Sequence, residues 1–93
     1  MVTRIIYDKN SKFWAEDDQT NRDFIKYIEG LIRYRLWTHC VVTDKEIYEQ
    51  LGLNWTGYEK NLVYRNHTCS TIDFKVRSIL PGLYEITVDA HYI

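Results

Sequence analysis

From Thr20 to about Leu36 the apolar residues Phe24, Ile25, Ile28, Leu31, Ile32 and Leu36 recur at helical spacing, with Lys26, Glu29, Gly30 and Arg33 on the other side. This pattern predicts a long amphipathic helix over 20–36. Arg35 interrupts the stripe near its end, so either the helix stops there or the guanidinium snorkels outward along its apolar stem. Asp17, Asp18 and Asp23 crowd the N-terminus, where negative charge meets the helix dipole favourably. Ahead of the helix, Val2 to Asp8 is β-branched and aromatic and is followed by the turn-forming run Asp8-Lys9-Asn10-Ser11. That reads as an N-terminal strand.

Beyond residue 40 the punctuation is local. Cys40-Val-Val-Thr43 has room only for a brief strand. Thr43-Asp-Lys-Glu46 is a capping box, so a helix is expected from Asp44 to Leu51, with Ile47, Tyr48 and Leu51 inward and Gly52 closing it in the left-handed conformation. Thr56 and Glu59 repeat the capping-box spacing, and Trp55, Tyr58 and Leu62 mark one side of a third helix expected over 55–65. From Thr71 the period changes to 2. Ile72, Phe74 and Val76, then Tyr84, Ile86, Val88, Ala90 and Tyr92, alternate with polar residues across Pro81-Gly82, a pair suited to a tight turn. An antiparallel hairpin over 71–92 follows.

The fold class expected is therefore α+β, three helices with a C-terminal antiparallel β-hairpin plus an N-terminal strand, in one domain over 1–93. That order resembles the winged helix-turn-helix superfamily, chiefly over Thr43-Asp-Lys-Glu-Ile-Tyr-Glu-Gln-Leu-Gly-Leu-Asn-Trp-Thr-Gly-Tyr-Glu-Lys-Asn-Leu62, with the turn at Leu51-Gly52-Leu53. The resemblance implies a double-stranded DNA partner. Thr56, Gly57, Lys60, Tyr64 and Arg65 would face the major groove, the hairpin would be the wing, and Lys75 or Arg77 would sit on phosphates.

Charge pulls against that implication. The whole chain carries -1, and from Asn54 to Arg77 Lys60, Arg65, Lys75 and Arg77 oppose Glu59 and Asp73, a balance of four minus two, or +2. Phosphate contacts supply most non-specific affinity for DNA, so this is little to work with. The aromatic content points elsewhere. Three Trp, eight Tyr and three Phe in 93 residues exceed what one small core readily encloses. Trp14, Trp37 and Tyr64 lie off the apolar stripes of their own elements and are the candidates for anchors to a protein partner. The alternative function is thus a protein-binding module, a small regulator or inhibitor that occupies a partner's surface; a homodimer is compatible with either reading.

Other chemistry is weaker. His39, Cys40, His67 and Cys69 are zinc-ligand types, but neither pair has the two-to-four-residue gap that wraps two ligands around one ion. No metal, no cofactor and no catalytic residue is expected, since no phosphate loop or nucleophile elbow is present. No apolar run approaches the ~18 residues of a spanning helix, and Met1 to Asn10 lacks a signal-peptide core, so a cytoplasmic location without membrane contact is expected.

Overall fold

The computed structural model describes residues 2–56, 61–67 and 69–92. Seven elements follow in order: β1 Val2–Asp8, α1 Asp18–His39, β2 Val41–Thr43, α2 Asp44–Gln50, β3 Val63–Arg65, β4 Thr71–Leu80 and β5 Leu83–His91. β1, β5 and β4 form an antiparallel sheet in that order, and β2 pairs antiparallel with β3 in a second, two-stranded sheet. α1 lies across one face of the larger sheet. The core forms where Ile25, Ile28, Ile32 and Leu36 of α1 meet Ile5, Tyr7, Ile72, Tyr84, Ile86 and Val88 from the strands. Val42, Ile47, Leu51 and Tyr64 extend this same cluster under the smaller sheet.

Local chemistry explains most boundaries. Asp17 caps α1, its Oδ2 accepting from the Thr20 N–H at 2.9 Å, and places the helix start at Asp18, two residues ahead of the expected Thr20. The helix runs on past Leu36 because Arg35 does snorkel: its guanidinium reaches Glu46 of α2 at 3.4 Å. Thr43 Oγ1 accepts from the Glu46 N–H, as the capping box requires. α2 ends in a Schellman arrangement, with the Gly52 N–H on Glu49 O and the Leu53 N–H on Tyr48 O, and Gly52 at φ 75°. Pro81-Gly82 turns the hairpin, with Gly82 at φ 80°.

The expectation of three helices is overturned. Two helices stand among the described residues, and Val63–Arg65, placed by sequence in a third helix, is a strand whose register is Val41↔Arg65, Val42↔Tyr64 and Thr43↔Val63. Tertiary pairing decides this segment against local helical spacing. A helix there would leave β2 without a partner and would turn Tyr64 away from Asp44, whereas the strand alternates exposed Val63, buried Tyr64 and exposed Arg65. Asn61 and Leu62 serve α2 rather than a helix of their own: Asn61 Oδ1 accepts from the Lys45 N–H at 3.0 Å, and Leu62 O accepts from the Asp44 N–H at 3.0 Å. Residues 57–60, the middle of the expected third helix, lie outside the described residues.

Candidate interaction surface

α1 has two faces of opposite character. Its core face carries Ile25, Ile28, Ile32 and Leu36. Nearly opposite, at ~100° per residue, Tyr27, Gly30, Tyr34 and Trp37 share one stripe within roughly 80° of each other. Tyr27 is 63% exposed, Tyr34 65% and Trp37 78%. With ~150–250 Å² available on each aromatic side chain, these fractions leave on the order of 300–500 Å² of aromatic surface in water. A monomer's largest apolar patch is commonly of that size and is often functional.

Gly30 sits in the middle of this stripe. A Cβ built there would meet nothing within 4 Å, and its φ is not positive. No neighbour within the chain therefore requires glycine, although glycine in a helix interior costs about 1 kcal/mol relative to Ala. The position is a bare stretch of helix backbone between three rings.

Cations border the stripe on one side, whereas on the other flank Arg35 is turned to Glu46, and exposed Asp23 continues the stripe four residues before Tyr27. Arg22, Lys26 and Arg33 follow the helix at spacings of four and seven, while Phe24 and Leu31 lie on the other flank. Arg33 is anchored: its Nε donates to Ile72 O at 2.9 Å, and it pairs with Asp73 and with Glu29, whose Oε2 accepts the Phe74 N–H at 2.6 Å. These two α1 side chains thereby occupy backbone groups along the outer edge of β4, a strand edge that would otherwise be open to another chain. Arg22 pairs with Asp18 at 3.0 Å and lies over the Tyr84 ring. Lys26 is exposed and makes no ion pair among the described residues. Beside Trp37, a cavity of about 270 Å³ opens between Leu36, Trp37, Asn66 and Ser70.

The residues singled out by sequence fall in different places. Trp37 is on the stripe. Trp14 is half-buried, with its ring centroid 5.6 Å from that of Tyr7 and 5.9 Å from that of Tyr84, so it packs at the core margin. Tyr64 is fully buried, which corrects its assignment both to a partner surface and to a DNA groove. Its hydroxyl donates to Asp44 Oδ1 at 2.6 Å and lies 2.9 Å from Thr3 Oγ1, while Asp44 Oδ2 accepts from Thr3 Oγ1 and the Leu62 N–H, both at 3.1 Å. Burial and the neighbouring carboxylate push the Tyr64 pKa well above the usual phenol range. This triad ties β1, α2 and β3 together.

Thr56 and Arg65 are exposed, Arg65 on the short strand β3, and Lys60 lies outside the described residues. Lys75 and Arg77 are exposed on β4 but face carboxylates of β5, Asp89 at 3.6 Å and Glu85 at 3.1 Å. Of the seven residues assigned to DNA, Gly57 and Lys60 lie outside the described residues and none of the other five stands on a helix. Tyr27 and Tyr34 were missed as site residues. Their seven-residue separation, continued by Trp37 and set opposite the isoleucine stripe, is the feature of the sequence that marks them.

Neither Cys40 nor Cys69 forms a disulfide; the first is exposed, and the second is buried with its thiol donating to Arg65 O at 3.3 Å. No three His, Cys, Asp or Glu side chains among the described residues are grouped to hold a metal ion. No described helix is long and apolar enough to cross a membrane. No protein-family model, no curated protein and no solved structure matches the chain.

Proposed function

We propose that the protein is a protein-binding module that acts through the outer face of α1 and performs no chemistry on its partner. The observation that carries this reading is the stripe of Tyr27, Tyr34 and Trp37, exposed opposite the core face around a glycine that the chain's own packing does not need. Tyr and Trp supply large contact area at low conformational cost and are enriched among the residues that dominate binding energy. The winged-helix reading loses support where Val63–Arg65 forms a strand and Tyr64 turns inward, because the groove-reading face depended on both.

A photo-crosslinking amino acid in place of Tyr34, irradiated in cells, tests the reading. A discrete protein adduct is expected at position 34, and none from the same amino acid in place of Lys9, an exposed residue away from α1. Equal labelling at both positions, or no protein adduct at position 34, overturns it.

A further inference from the structure

Tyr27, Gly30, Tyr34 and Trp37 are spaced three, four and three residues apart, the a/d spacing of a heptad seam on the outside of a 22-residue helix. We infer that the occupant of this face is an amphipathic helix whose apolar stripe is bordered by carboxylates, laid along α1. The inference rests on the reading of this face as a protein-binding surface and specifies its partner. A seam with this spacing is matched by a second helix running alongside, since knobs on one helix fill holes formed by four residues of the other. Gly30 supplies a hole with no floor but backbone, between two tyrosines, into which a large apolar knob fits.

Charge sets the partner's flank. Residues next to a seam face the flanking residues of the opposing helix. Here that border is Lys26 and Arg33; Arg33 is already held by Asp73 and Glu29, but Lys26 has no carboxylate partner among the described residues, so an acidic residue on the incoming helix finds one cation waiting. A second copy of this chain does not meet that requirement. An antiparallel α1 pair would bring like flanks together and set Lys26 and Arg33 against their own equivalents.

The test uses the full chain and two synthetic helical peptides of roughly three heptads, with Leu at the seam positions and either Glu or Lys at every flanking position. Calorimetric titration is expected to show the Glu peptide binding at least ~10-fold more tightly than the Lys peptide, with Lys26→Glu reducing or reversing that preference. Gly30→Leu fills the hole in open space, and is expected to abolish binding of the Glu peptide while leaving thermal stability unchanged or raised. Equal affinity for the two peptides, binding by neither, or binding that survives Gly30→Leu overturns the inference. So does a sedimentation mass of two chains at the concentrations used, which would make the occupant a second copy. Protein adducts at position 34 together with silence from both peptides would remove the acidic helix as partner and leave the protein-binding reading standing.

Discussion

At the scale of single residues, the polar contact among Tyr64, Asp44 and Thr3 shows how a buried hydroxyl fixes a chain segment. Asp44 is nearly inaccessible, and its two oxygens take three donors, one from Thr3 in β1 and two from the segment of Leu62 and Tyr64. Tyr64→Phe keeps the ring volume and removes one donor, so it should lower unfolding free energy by about 1–3 kcal/mol, read from urea denaturation. The pH dependence follows from the direction of the shift. The phenol titrates higher folded than unfolded, so its contribution is fully present below the unfolded value near ~10 and is lost as pH rises above it. Wild-type stability should therefore fall in the alkaline range more steeply than that of Tyr64→Phe. Gly30 makes the opposite kind of prediction. Ala at that position meets nothing and keeps helical φ, so Gly30→Ala should raise stability by about 0.5–1 kcal/mol in the free chain. A loss of stability would mean that the backbone there has a structural demand of its own.

At the scale of elements, capping residues place the helices. Thr43→Ala removes the acceptor of the Glu46 N–H and should cost about 1 kcal/mol, measurable as a drop in the thermal midpoint. The same rules made much of the fold legible in advance. The strand Val2–Asp8, the body of α1, the capped α2 with its Gly52 stop and the hairpin about Pro81-Gly82 each carry their own local instruction. The third helix was misread because its instruction is not local. Thr56 and Glu59 offer a capping box, but Val63–Arg65 is a strand because β2, twenty residues earlier, lacks a partner and Asp44 has a place for the Tyr64 hydroxyl. A three-residue strand has too little periodicity to announce itself. The interaction surface was legible in part. Trp37 stood out as an aromatic off its stripe, whereas Trp14 and Tyr64 met the same criterion and are taken up by the core margin and by a buried hydrogen bond. Position on one element does not reveal what another element covers.

At the scale of the whole molecule, the distribution of charge bears on the choice between DNA and protein as partner. Net charge is -1, and five of the basic side chains are engaged with carboxylates: Arg22 with Asp18, Arg33 with Asp73 and Glu29, Arg35 with Glu46, Lys75 with Asp89, and Arg77 with Glu85. Exposed pairs of this kind add little stability, but each places a negative charge beside a cation that would otherwise meet a phosphate. The wing residues expected on phosphates, Lys75 and Arg77, are both among them. A protein that neutralises several phosphates loses affinity steeply with salt, by close to one power of salt concentration for each contact. Titration against mixed duplex DNA should therefore show no binding with that steep salt dependence, even at low ionic strength. The converse result is equally specific. Binding whose salt slope falls by about one in Arg65→Ala, and again in Lys60→Ala, would show that these side chains meet phosphates and would return the groove-reading function to first place. Trp37→Ala separates the two partners from the other side: it should abolish the capture expected of the photo-crosslinking residue at position 34 and leave any DNA binding untouched, because that stripe carries rings rather than cations.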